Sequence, residues 1–378
     1  MPNREEFIET QATFQFGACA APKALDVAGL ARQKAKPQGT LFFHDPDDHR
    51  FIPAEAASAL SRDEAGHWQF TQRPGKEISG GAKLSVERQA DTLNELAEAG
   101  LRLPFMVDMH DAIRRENAFP VFQYNRAIGA KNAILWPLQR VHRIGAKSFC
   151  SRPDPEEKPL REKKPGLSWR GAIRGFVFVD GKPINIRALV AQFQKGQIDR
   201  DTLLRNLEAL PRYQFVSRYF DREDFDIGFN NRAQERKGWS ELPEIARYQK
   251  PFADTAAQAE YKYLFSIQGT DVGSSFGWQL STNSIILRET YPWEVFFDCH
   301  FRPWEHYVPI KPDFSDIPEK IDWCEAHPHE CQRMIELRHE VVHLLLDEEA
   351  RREALRRVAA RYTDFYRSGN FLPQPRGR

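Results

Sequence analysis

Tyr261-Lys-Tyr-Leu-Phe-Ser-Ile-Gln-Gly-Thr-Asp-Val272, continued by Gly273-Ser-Ser-Phe-Gly277, decides the fold class. Tyr261–Ile267 is an aromatic and aliphatic run of strand length, and Gln268–Asp271 is a polar loop carrying a glycine. A helix start follows. Strand, loop and helix in that order make one unit of an α/β protein. The loop's backbone N–H groups and the helix N-terminus are expected to form an anion site, because unsatisfied donors and the helix dipole both favour phosphate.

The same grammar extends outward. Upstream, Gly175–Val179 reads as a strand, Ile186–Leu210 as a helix and Phe215–Phe220 as a strand. Further back, Leu84–Gly100 reads as an amphipathic helix with a glycine C-cap, followed by strands at Pro104–Asp108, Phe119–Tyr124 and Ala133–Trp136. Between these halves, Ser151–Gly166 is rich in proline and charge without an apolar period and reads as a linker. Downstream, Pro318–Tyr366 has helical spacing and predicts two or three closing helices, with Pro373–Arg378 frayed. The first eighty residues show no dominant period.

Composition narrows the function. At 378 residues the chain has room for about two domains. With 54 Lys+Arg against 53 Asp+Glu the net charge is +1, which argues against a dedicated nucleic-acid binder. Five scattered cysteines (Cys19, Cys150, Cys299, Cys324, Cys331) argue against a disulfide framework and fit a reducing compartment. The acidic start, Met1-Pro-Asn-Arg-Glu-Glu, does not read as a secretory signal, and no stretch approaches the roughly 18 apolar residues of a membrane span. The expected address is the cytoplasm.

Three short motifs compete for the chemistry. His339-Glu340-Val-Val-His343 matches the H-E-x-x-H zinc pattern, but the extension that would bring a third ligand is missing. Gly273-Ser-Ser275-Phe-Gly277 matches the nucleophile elbow of serine hydrolases, although four polar residues separate it from the strand. Cys324-Glu-Ala-His327-Pro-His329-Glu-Cys331 has spacing wrong for a zinc finger and reads as a turn between helices. Asp45-Pro-Asp47-Asp48 likewise reads as a turn without an apolar strand before it.

A longer pattern is more specific. Tyr261–Val272, Asn283-Ser-Ile-Ile-Leu287, Pro303-Trp-Glu-His306-Tyr-Val-Pro-Ile310, and Asp313-Phe-Ser-Asp-Ile317 with Lys320-Ile-Asp-Trp323 stand in the order of glycosyltransferase family 90. Ser168-Trp-Arg170-Gly171-Ala172 resembles the family's Phe-Arg-Gly-(Ser/Ala) block, and Asp226-Ile-Gly-Phe229 resembles its Asp-(Ile/Val)-Gly-Phe turn. The likeness covers about Phe105–Val342. It includes the capsule-type, lipopolysaccharide-modifying and protein O-glucosyltransferase branches.

The resemblance implies a GT-B fold, two Rossmann-like domains facing a cleft. Residues 1–165 would form the acceptor-side domain and 166–345 the nucleotide-sugar domain, with residues 346–378 returning to the first. It implies inverting transfer from a UDP-sugar to a glycan or glycolipid acceptor, such as lipopolysaccharide core or capsule, without a cofactor or catalytic metal. Asp111, in Met106-Val-Asp108-Met-His110-Asp111, matches the family's catalytic aspartate, with Asp108 the neighbouring alternative. Arg170 and Gly171 would meet the diphosphate, with Arg174 and Arg187 in support, while Gly269, Asp271, Ser274 and Ser275 would line the nucleotide. His110 replaces the family's usual arginine, and Ser275 and Gly277 stand where relatives carry a cation. A ribose contact at Glu294 is displaced by one position. The rivals are a serine or zinc hydrolase, using Ser275 or His339, Glu340 and His343, and a noncatalytic nucleotide- or glycan-binding protein. The basic residues Arg351, Arg352, Arg356, Arg357 and Arg361 offer either a solvated helix face or a contact with the inner membrane surface.

Overall fold

The computed structural model describes residues 3–20, 26, 41–52, 54, 58–71, 80–111, 116–179, 182–232, 239 and 242–369. It is a mixed α/β protein dividing into two compact units. One comprises Pro2–Phe149, Pro292–His300 and Leu344–Arg378; the other comprises Cys150–Tyr291 and Phe301–His343.

The N-terminal unit opens with α1 (Arg4–Phe16), capped by the Asn3 side chain. Strands β1 (Leu41–Asp45) and β2 (Arg50–Ile52) form a hairpin, as do β3 (Leu60–Arg62) and β4 (Trp68–Phe70). Helix α2 (Gly80–Glu98) ends where expected: Gly100 has φ +90° and the Leu101 N–H returns to the Leu96 carbonyl at 2.9 Å. Strands β5 (Phe105–Asp108), β6 (Val121–Gln123) and β7 (Ala133–Leu135) fall in the three apolar runs. The sheet order is β2-β1-β5-β6-β7, antiparallel up to β5 and parallel from there. A short helix α3 (Gln139–His142) follows β7.

In the C-terminal unit β8 (Lys164–Gly171) is central. Beyond it come the hairpin β9 (Phe176–Val179) and β10 (Lys182–Asn185), helices α4 (Ile186–Gln194), α5 (Arg200–Glu208) and α6 (Pro211–Tyr219), and strands β11 (Phe225–Asn230) and β12 (Gln249–Lys250). The chain then crosses to the other side of β8 for β13 (Tyr261–Ser266), α7 (Ser275–Gln279), β14 (Ile285–Glu289) and β15 (Val308–Ile310). The order is β12-β11-β8-β13-β14-β15 and every pairing is parallel. Helices α8 (Ile317–Ala326), α9 (Pro328–Leu345) and α10 (Glu348–Ser368) are the three closing helices, the last belonging to the N-terminal unit.

Five expectations are corrected. Ile186–Leu210 is two helices, because Gly196 turns to φ +69° and the Asp199 carboxylate caps a new start. Phe215–Phe220 lies in and just beyond helix α6, with Pro211 in its first turn and Tyr213, Val216 and Tyr219 buried at helical spacing. The proline-rich linker packs as structure: Lys163 is buried against Glu157 and the Ala259 carbonyl, and Glu157 accepts the Asn283 N–H at 3.0 Å. Asp226–Phe229 lies on strand β11, and an apolar strand, β1, does precede the Asp45 turn. Pro373–Arg378 lies outside the described residues, as do residues 112–115 after Asp111. No described helix is long and apolar enough to cross a membrane.

Candidate functional site

In an open parallel sheet a crevice forms where successive connections leave a central pair of strands in opposite directions, at the strands' carboxyl ends. Here that pair is β8 and β13. The loops at this switch point are Ala172–Gly175 after β8 and Ile267–Ser274 after β13, so Gly171, Arg174, Gly269, Asp271, Ser274 and Ser275 are brought to one edge of the sheet. The two loops are close: a Cβ on Gly175 would lie 3.3 Å from the Gly269 carbonyl, and one on Gly269 would lie 3.8 Å from the Arg174 Cβ.

Arg212, on α6, clamps them. Its guanidinium donates to the carbonyls of Ala172 (2.9 Å) and Gln268 (2.8 Å). Burial, and then the neighbouring charge of Arg174, lower its pKa to about 10. From the other side Glu289, the last residue of β14, accepts both the backbone N–H of Gln268 (2.8 Å) and its side-chain amide (2.7 Å). Burial raises the Glu289 carboxyl to about 7, against the lowering effect of the Gln268 donors and Arg212. Arg288 donates to the Tyr291 hydroxyl at 3.0 Å and stacks over Phe276 at 4.0 Å, while that hydroxyl accepts the Gly273 N–H at 3.4 Å.

The anion site expected here is narrower than the sequence implied. Helix α7 is one short turn of five residues, and Ser274 caps it with no side-chain bond. The N–H groups of Gln268, Val272 and Gly273 are already engaged by Glu289, Asp271 and Tyr291. Arg174 is exposed beside this loop. Arg170, by contrast, points into the fold: its guanidinium meets the Asp226 carboxylate at 2.5 Å and the Asp226 carbonyl at 2.6 Å, with only 6% of the side chain exposed. Gly171 is required by its own strand, since a Cβ would lie 2.3 Å from the Trp169 ring. Arg187 sits at the exposed start of α4, and its backbone N–H completes the Asn185 cap.

The N-terminal unit contributes a different arrangement. Asp111 follows β5, and its Oδ1 accepts from Arg88 of α2 (2.9 Å) and from the hydroxyl of Tyr124 beyond β6 (2.7 Å). Both bonds fall on Oδ1, and 41% of the side chain is exposed. Burial pushes this carboxyl up, but Tyr124 and Arg88 outweigh it and hold it below the usual range. Asp108 is 2% exposed and accepts the His110 N–H at 3.0 Å, so of the two Asp111 is the accessible carboxylate.

The competing motifs do not assemble. Ser275 is the first residue of α7 and has no left-handed strain of the kind a nucleophile elbow stores. His339 meets the Thr282 carbonyl through Nε2 at 3.1 Å, and no three-residue metal-ligating group occurs among the described residues. Glu294 belongs to the N-terminal unit, paired with Arg126 at 2.8 Å. The arginines of α10 mostly face acids: Arg357 pairs with Glu5, Glu9 and Glu353, Arg361 with Glu9, and Arg352 with Glu348 and Glu349. Sequence reasoning missed Arg88, Tyr124, Arg212 and Glu289; the last stands two positions beyond the quoted Asn283–Leu287 block, at the end of β14.

Comparison with known proteins adds a second line. Residues 226–352, from β11 to the start of α10, match the glycosyl transferase family 90 model. The chain is 28% identical over 219 residues to the O-glucosyltransferase LpsA of Dichelobacter nodosus, covering 57% of this chain and 53% of that protein. It is 33% identical over 75 residues to Protein O-glucosyltransferase 3 of Rattus norvegicus, covering 20% and 15% of the two chains. Uncharacterized protein 035R of Invertebrate iridescent virus 3 is 30% identical over 112 residues, 28% of this chain and 10% of the viral one. The chain thus spans about half or less of these relatives' lengths, and they come from a bacterium, a mammal and a virus.

Proposed function

From a chain that carries a glycosyl transferase family 90 segment over residues 226–352, we propose a GT-B glycosyltransferase that moves a sugar from a UDP-sugar to a glycan acceptor. The observation that carries the proposal is the meeting of the β8 and β13 loops at the switch point of an all-parallel sheet, with the β13 loop inside the matched segment. A nucleotide diphosphate belongs at such an edge. In this reading Gly269, Asp271, Ser274 and Ser275 line the nucleotide. The exposed Arg174 faces the diphosphate, with the buried charge of Arg212 behind it. Arg170 and Gly171 act by shaping the end of β8.

Asp111 is the general base. Its carboxylate is ionised at neutral pH and oriented by two donors on Oδ1, leaving Oδ2 for the acceptor hydroxyl. The hydroxyl proton passes to Asp111 as the acceptor oxygen bonds to the anomeric carbon. The bond to the diphosphate breaks through an oxocarbenium-like state, and the sugar inverts without a metal step. Lipopolysaccharide core or capsule at the inner membrane face is the acceptor we favour, on the likeness to LpsA.

The test is a thermal-shift panel on chelator-treated protein with UDP, UDP-glucose, UDP-galactose, UDP-xylose, GDP, ADP and Zn²⁺. A ligand at about 100 times its Kd adds roughly 2.7 kcal/mol. Stabilisation by UDP compounds is expected. Stabilisation by Zn²⁺ alone, or by none of them, overturns the proposal.

A further inference from the structure

A groove in the N-terminal unit takes no part in these roles. It lies between α2, α3 and α10 and encloses about 280 Å³. Toward Asn94 and Arg140 it continues into a second recess, and the two share Glu95, Glu98, Gln139 and Arg143.

Arg143, just past α3, and Glu98, at the end of α2, line both recesses on exposed side chains, yet they form no ion pair with each other. Among the described residues the Arg143 guanidinium makes no hydrogen bond or ion pair. The other cations are held differently: Arg352 and Arg356 face Glu348, Glu349 and Glu353, and Arg351 donates to the His142 carbonyl. Glu95, 7% exposed, also lines both recesses and accepts the Trp136 indole N–H at 3.0 Å and the Gln139 amide. Burial lifts its carboxyl to about 8, so at neutral pH it is an acid that can donate as well as accept. Leu355, Ile144 and Ala99 add apolar wall.

These features select a ligand class by elimination. A small inorganic anion would meet Arg143 and leave Glu95, Glu98 and Gln139 without a ligand hydroxyl. A neutral sugar would leave the guanidinium without its natural partner, and an amine would face Arg143 and Arg351. A sugar bearing one negative group satisfies the whole wall. We propose that this groove binds an anionic sugar, its carboxylate or phosphate on Arg143 and its ring hydroxyls on Glu95, Glu98 and Gln139. Assigning that sugar to a glycan acceptor rests on the transferase reading; the binding itself does not.

The test is calorimetry on the full chain with glucuronic acid, glucose 6-phosphate, glucose and inorganic phosphate, with UDP stabilisation measured in the same samples. The two charged sugars are expected to bind at least tenfold more tightly than glucose or phosphate, about 1.4 kcal/mol. Arg143→Gln is expected to remove that advantage and Glu98→Gln to weaken binding several-fold, with the UDP shift unchanged in both. Hyaluronan hexasaccharide binding tenfold more tightly than glucuronic acid identifies a glycan, and equal binding identifies a free sugar acid. The proposal is overturned if glucose or phosphate matches the charged sugars, if Arg143→Gln binds as the native chain does, or if no probe binds. Charged-sugar binding with no UDP shift would sink the transferase reading and keep the groove.

Discussion

Each unit places a carboxylate at or just beyond the carboxyl end of a parallel strand, and the two are treated in opposite ways. Asp111, after β5, leaves 41% of its side chain exposed and takes a guanidinium and a phenol on one oxygen, which hold it ionised. Glu289, ending β14, is 2% exposed and takes two amide donors from Gln268, with burial raising its carboxyl to about 7. Chemistry at a strand end is therefore set by what surrounds the acid rather than by its position. One presents an ionised oxygen to its surroundings; the other fastens a loop.

The largest expected effect tests the first half of that contrast. Asp111→Asn keeps the shape and removes the proton acceptor, so transferase turnover should fall about 10³-fold, equivalent to about 4 kcal/mol in the barrier. UDP stabilisation should be unchanged, because the nucleotide is assigned to the other unit. Full turnover in this variant would return the base to Asp108 and dissolve the comparison.

A buried cation gives the next largest effect. Arg338 is wholly buried and donates to the carbonyls of Leu280 (3.1 Å), Thr282 (2.6 Å), Ser284 (2.9 Å) and His306 (3.4 Å). It thereby ties α9 to the segments flanking β14 and β15. Arg338→Leu leaves those carbonyls without their donor and should cost about 3 kcal/mol, read as a lower urea midpoint. A midpoint unchanged from the native chain would show that C-terminal charges are not structural in the way Glu289 is taken to be.

These clamps also mark the limit of what the sequence revealed. Strands β5, β6, β7 and β13 were legible because each is a local apolar run, and the β13 loop was legible because glycine and polar residues cluster there. Phe215–Phe220 misled because a short aromatic run fits both periods, and only packing of Tyr213, Val216 and Tyr219 on one face decides for helix. Helix α1 was hidden because its buried face mixes Gln11 and Gln15 with Phe7, Ile8 and Ala12, so no clean apolar stripe marks it. In the site, the loops could be read but their fastening could not. Arg212 reaches Gln268 across 56 positions and Glu289 reaches it across 21, and a sequence does not display such contacts.

Glu289 itself gives a smaller effect with a defined sign. Its pKa is raised by folding from an ordinary 4.5 to about 7. The folded state therefore prefers the protonated acid. Stability from this group is complete below the unfolded value and is lost as pH rises toward 7, on the order of 2 kcal/mol. Glu289→Gln should flatten that part of the profile, and the difference between variant and native chains isolates it from Glu95, which shifts the same way. Denaturant midpoints at pH 5 and pH 8 that differ equally in both proteins would mean Glu289 is ionised throughout, like Asp111.

Asp347 sharpens the contrast from the other direction and gives the smallest effect. It caps α10 in the N-terminal unit, its Oδ1 accepting the N–H groups of Glu349 and Ala350 at 3.0 Å, and Arg4 meets its other oxygen at 2.7 Å. The Arg4 bond first, then the cap, lowers its carboxyl to about 2, with burial opposing only weakly. The sign is the reverse of Glu289: the contribution is present above the ordinary 3.8 and disappears as pH falls through about 2. Asp347→Ala should cost about 1 kcal/mol near neutral pH, mostly the lost cap, since an exposed ion pair adds little. Asp347→Asn should recover most of it, because the amide oxygen still caps. If the asparagine variant were as weak as the alanine one, the ion pair with Arg4 would be holding the helix start, and the N-terminal unit would rely on paired charge as much as the C-terminal unit relies on buried charge.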